Sequence, residues 1–76
     1  MLQNVVALAL PGLSPFELGV VCEVFGTDRS ATGLPEFDFA VISEDAAAIR
    51  SSVGFTVAPE YGLARAAEAD LVCVPA

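Results

Sequence analysis

Three apolar runs constrain this chain more than anything else in it: Val5–Leu10, Phe37–Ile42 and Leu71–Val74. A strand with one wet face alternates between apolar and polar residues. A run that barely alternates needs cover on both faces, as in a parallel sheet sheathed by other elements. The segments between the runs read as helix, small hairpin and helix. That order gives an α/β class. Right-handed crossovers put Val5–Leu10 in the centre of the sheet, with Phe37–Ile42 on one side and Leu71–Val74 on the other.

The punctuation supports these elements. Pro11-Gly12 ends the first run, because proline cannot continue a ladder and glycine permits a tight exit. Ser14 then reads as an N-cap, Pro15 as the first helical residue, and Glu17 as the other half of a capping box. The helix is expected to reach Phe25, with Gly26 as its stop. Phe16, Val20 and Val24, with Leu18, Val21 and Phe25, give it a broad apolar surface suited to packing on a sheet. Thr27–Glu36 is a polar loop, and Glu44–Ala48 a connection. Ile49–Ser52 and Phe55–Ala58 predict a short hairpin around Val53-Gly54. Pro59–Gly62 turns the chain, and Leu63–Ala69 predicts an alanine-rich helix before Asp70 leads into the last run.

Composition narrows the function classes. With 76 residues the chain makes one small domain at most. Ten acidic residues face only Arg29, Arg50 and Arg65, for a formal net charge of −7. Phosphate neutralisation needs clustered Lys and Arg, so direct nucleic-acid contact and binding to an anionic membrane are both disfavoured. Val5–Leu10 is too short to span a bilayer and no basic residue precedes it, which makes the cytoplasm the expected address.

No cofactor motif is present. Gly12 alone is a weak phosphate-loop signal, and a tight turn accounts for it. Glu36, Asp38, Glu44 and Asp45 lack the spacing of a calcium loop and read as a solvated acidic rim, with no metal expected. The chain has no histidine, and its cysteines, Cys22 and Cys73, lie far apart inside apolar runs. They read as two buried thiols of a reducing compartment, the alternative being a disulfide or metal pair. Neither has a neighbouring His or Lys in the sequence to make it a nucleophile.

Three segments carry a resemblance to a known family. Ala9-Leu10-Pro11-Gly12-Leu13-Ser14-Pro15-Phe16-Glu17-Leu18 resembles the first strand-to-helix turn of PfpI-like (class I glutamine amidotransferase-like) domains. Val53-Gly54-Phe55-Thr56-Val57-Ala58-Pro59 resembles the small excursion after their second strand. Ala69-Asp70-Leu71-Val72-Cys73-Val74-Pro75 resembles the strand that leads to their nucleophile. The match spans nearly the whole chain in order and spacing. The wording is most similar to the sensor-like domain of AraC-type transcriptional regulators: Phe16-Glu17-Leu18, Val24-Phe25-Gly26, and Gly54-Phe55 leading to Pro59 and Leu63.

The resemblance implies a partial flavodoxin-like parallel sheet with flanking helices and a small β excursion. It implies that residues 1–76 are the N-terminal portion of one PfpI-like domain, ending before the nucleophile elbow. In enzymatic members a glutamate at the position of Glu17 hydrogen-bonds the nucleophilic cysteine, so the resemblance makes Glu17 a vestigial catalytic residue. The other reading of Glu17 is a capping residue at a helix N-terminus, where negative charge is favourable. The implied function is part of a regulator's sensor or dimerisation domain, self-associating, with an unknown effector and neither catalysis nor DNA contact of its own. The alternatives are a fragment of a cysteine-dependent hydrolase or hydratase, and a small interaction module pairing through its sheet edge.

Overall fold

The computed structural model describes residues 2–27, 33 and 36–75. In chain order its elements are β1 (Asn4–Leu8), α1 (Pro15–Val21), β2 (Asp38–Ile42), β3 (Ile49–Arg50), β4 (Thr56–Val57) and β5 (Leu71–Cys73). β1 lies between β2 and β5, and all three run parallel. Val5 stands opposite Phe39 on one side and Leu71 on the other. This is the α/β arrangement and strand order expected from the three runs. Most of the loop expected at Thr27–Glu36 lies outside the described residues.

β1 shows why its run does not alternate. Val5, Val6 and Ala7 are all fully buried, so both faces of the strand are covered. On one face Ala7 and Ala9 join Leu13, Leu18 and Ile49, with Val21 and Cys22 packed against them. On the other face Val6 joins Ala40 and Ile42, with Ala66 and Ala69 of the later turn packed on top. Successive side chains of one strand thus feed two separate cores.

α1 begins at Pro15 as expected and differs from its expected form at its C-terminal end. The regular helix stops at Val21, and Cys22–Gly26 continues it as a π-helical turn. Gly26 does not end it in a left-handed conformation, since the positive-φ glycines are Gly12, Gly33 and Gly54. Its role is spatial: a Cβ on Gly26 would lie 3.0 Å from Cδ2 of Phe39. The expected apolar surface also divides. Leu18 is buried, and Val21 and Phe25 are half-buried, while Phe16, Val20 and Val24 are exposed at 78%, 44% and 51%.

β3 and β4 pair antiparallel, as the hairpin reading required. Buried Ser51 shapes the loop: its hydroxyl accepts from the N–H groups of Val53 and Phe55, both at 3.3 Å. The expected alanine-rich helix is instead a 3₁₀ helix over Leu63–Glu68. The segment before it is anchored where Ser43 N–H donates to the Tyr61 carbonyl at 3.1 Å. After it, Asp70 N–H donates to the Asn4 carbonyl at 2.7 Å. A 3₁₀ helix rises about 2.0 Å per residue against about 1.5 Å for an α-helix, so it reaches further between fixed ends with the same residues.

Candidate functional site at the carboxyl edge of the sheet

In open parallel sheets, ligands bind outside the carboxyl ends of the strands, where successive crossovers leave in opposite directions. Here that point lies between β1 and β5, because the chain moves from β1 to β2 on one side and then to β5 on the other. A shallow depression of about 280 Å³ opens beside it, lined by Glu17, Val21, Cys73, Val74 and Pro75. Glu17 comes from the first turn of α1, and Cys73 from the last residue of β5. The fold therefore brings the sequence-predicted glutamate and one of the two cysteines to the same depression, from opposite ends of the chain.

The capping box expected around Glu17 does not form. Ser14 has the extended backbone of an N-cap, at φ −84° and ψ 120°, but its side chain makes no capping hydrogen bond. The approach to the helix is held by backbone pairing instead. Gly12 turns at φ +81°, and its N–H donates to the Arg50 carbonyl at 2.8 Å. Ser52 N–H donates to the Leu13 carbonyl at 2.9 Å, which ties the same stretch to the hairpin. Glu17 is exposed in the first helical turn, where a negative charge interacts favourably with the helix dipole.

Neither cysteine is fully buried, contrary to the expectation for both, although Cys22 packs against the core cluster of Ala7 and Leu18. Both are half-buried free thiols. Burial pushes the Cys22 thiol up from its ordinary value, and the neighbouring Glu23 carboxylate adds to the effect. Both causes disfavour the thiolate, which is the nucleophilic form. Cys73 faces the depression beside Glu17, and none of the described residues lining it is a cation or an imidazole.

The acidic residues divide between the two ends of β2. Asp38 begins that strand and pairs with Arg65 at 3.2 Å, while Glu44 and Asp45 follow its carboxyl end. Among the described residues, no group of three or more His, Cys, Asp or Glu is placed to hold a metal ion.

Sequence reasoning passed over the polar clamp at the opposite, amino end of the sheet. The Asp70 carboxylate accepts from the N–H groups of Asn4 and Gln3, at 2.9 and 3.1 Å. These bonds, the Asn4 one first, hold its pKa below the ordinary carboxylate value. Arg65 donates to the Asn4 side-chain oxygen as well as to Asp38. One visible signal was an aspartate placed directly before an apolar strand, where free backbone donors of a neighbouring strand need acceptors.

Compared with known proteins, the chain matches no family model, no curated protein and no solved structure. Among the described residues, no helix is long and apolar enough to cross a membrane.

Proposed function

We propose that this chain is a portion of the sensor or dimerisation domain of an AraC-type transcriptional regulator, cytoplasmic and flavodoxin-like, with neither catalysis nor DNA contact of its own. The observation that carries the reading is the outward apolar face of α1 and of the π-helical turn that continues it. Phe16, Val20 and Val24 stand one helical turn apart along it and line one groove with Gly19. A surface of this kind suits assembly. Covering one large apolar side chain stabilises by about 1.5–3 kcal/mol, and Phe16 alone is 78% exposed. Two of these residues, Phe16 and Val24, belong to the regulator-like wording of the sequence. The formal charge of −7 leaves DNA contact to another part of such a regulator.

Two measurements test this reading. Sedimentation of the purified chain is expected to show concentration-dependent association. A monomer with a sharp, concentration-independent unfolding transition would count against it. The genomic reading frame is expected to encode a helix-turn-helix segment on the same polypeptide, and a frame without one removes the regulator assignment.

A second reading rests on Glu17 and Cys73 lining one depression. It makes the chain part of a cysteine-dependent hydrolase or hydratase of the PfpI-like superfamily. A reading frame that encodes a cysteine within a short turn after β5 would favour this reading over the first.

A further inference from the structure

A second cleft, of about 410 Å³, opens at the carboxyl edge on the β2 side of β1. It shares no lining residue with the depression at Glu17. Its floor is apolar: Ala9 is 1% and Ile49 7% exposed, with half-buried Leu8 beside them. Leu10 and Leu63 form partly exposed lips at 45% and 47%. Among the described residues, the charged groups at its mouth are Glu44 and Asp45. The volume falls within the roughly 300–1,000 Å³ typical of small-molecule sites, and an apolar floor with few polar groups is their usual character.

The mouth is held from below. Ser43 is fully buried, and its hydroxyl donates to the Ala47 carbonyl at 2.7 Å across the turn that carries both carboxylates. Ala47 N–H in turn donates to the Glu44 carbonyl at 3.0 Å. None of the described residues lining the cleft is an arginine. Arg65 is engaged at the amino end of the sheet, with Asn4 and Asp38. The formal charge of −7 adds a long-range field of the same sign as the rim.

We propose that this cleft binds a small organic cation, an ammonium group carrying a short alkyl arm. The arm lies on Ala9 and Ile49 between the leucine lips, and the ammonium meets Glu44 and Asp45. The cleft's apolar floor carries the proposal, and the charge at its mouth selects the class of ligand. This deepens the sensor reading and rests on it only for the biological use of the ligand. Binding itself is independent of the family to which the chain belongs.

The test titrates three probes of equal length, hexylammonium, hexan-1-ol and hexanoate, into the full chain by calorimetry, with amide chemical shifts followed in parallel. Saturable hexylammonium binding is expected, roughly five- to ten-fold tighter than hexan-1-ol, with hexanoate weakest. The shifts should centre on Leu10, Ala47 and Leu63. Glu44→Gln with Asp45→Asn should bring hexylammonium down to the level of the alcohol, because both changes lie on an exposed turn and keep the floor intact. Leu63→Ser should weaken both of those probes together. Equal affinity for the three probes, no saturable binding, or hexylammonium binding that survives the double variant would each overturn the proposal. None of these outcomes bears on the helix-turn-helix test of the regulator reading.

Discussion

β1 has an apolar parallel strand on each side, yet its two flanks are built differently. Toward β2, five residues of β1 are in register with the neighbour, and Ala40 and Ile42 are only 6% and 1% exposed. The far edge of β2 is itself met where Ile42 bridges Tyr61. Toward β5 only three residues are in register, Val72 is 45% exposed, and Val74 just beyond is 56% exposed. Among the described residues, no further strand pairs with β5. Similar composition therefore gives the same secondary structure on both sides but not the same burial. An apolar run specifies a strand, and the neighbours it meets decide how much stability that strand contributes.

The largest expected effect follows from this contrast. Ile42→Ala empties a packed position and should cost about 2–5 kcal/mol, whereas Val72→Ala should cost less than about 1 kcal/mol. Urea unfolding of the two variants measures the difference. Equal losses would mean that the β5 flank is as well packed as the β2 flank.

Two glycines sharpen the comparison at the next level. Gly26 lies against Phe39 of β2, and a Cβ there would meet the ring at 3.0 Å. Gly26→Ala should therefore destabilise by no more than about 1 kcal/mol, as the Phe39 ring edge gives way. Gly19 sits on the outer face of α1, where an added Cβ meets nothing within 4 Å. Gly19→Ala should stabilise by about 0.5–1 kcal/mol through helix propensity. Thermal unfolding that moves both variants in the same direction would break this assignment of a packed inner face and an open outer one.

Asp70 tests what holds the weaker flank. Its carboxylate joins the residue before β5 to the backbone of β1, and its folded pKa lies below the ordinary value. The sign follows from the lowered pKa. The stability contributed is fully present above the unfolded-state pKa and is lost as pH falls through the lower folded value. Melting temperature should therefore fall more steeply on acidification in the native chain than in Asp70→Asn. Hydrogen exchange should locate the acid-induced loss in β5 before β2. Identical acid profiles for the two proteins would show that these backbone bonds are not what ties β5 down.

The sequence was most legible where a single physical cause acts over several residues. The three apolar strands, their order and the hairpin around Val53-Gly54 all follow from apolar continuity and turn chemistry. Contacts set by tertiary placement were not legible. Leu63–Glu68 has the composition of an α-helix, yet it forms a 3₁₀ helix between ends tied to β2 and β1. Gly26 reads as a helix stop and serves as space for Phe39. Of the candidate site, Glu17 was visible through the resemblance. The meeting of Glu17 with Cys73 depends on the β1–β5 pairing of residues far apart in sequence.

The smallest expected effect concerns Ser14, where local pattern and structure disagree most directly. The sequence Ser14-Pro15-Phe16-Glu17 has every feature of a capping box, and a formed cap is worth about 1 kcal/mol. The Ser14 side chain nevertheless makes no capping bond. Its carbonyl accepts from Leu18 N–H at 3.1 Å, the first main-chain bond of the helix, which any residue supplies. Gly12 and Leu13 are already fixed by backbone bonds to the hairpin, so the entry into α1 does not depend on the hydroxyl. Ser14→Ala should therefore change stability by no more than about 0.5 kcal/mol. Arg50 and Ser52 supply their backbone partners to Gly12 and Leu13, so Ser52→Pro should be far more damaging: it removes the N–H that donates to the Leu13 carbonyl. Urea unfolding of both variants separates the two supports. A loss near 1 kcal/mol in Ser14→Ala, together with a mild Ser52→Pro, would restore the cap as the element that positions Glu17.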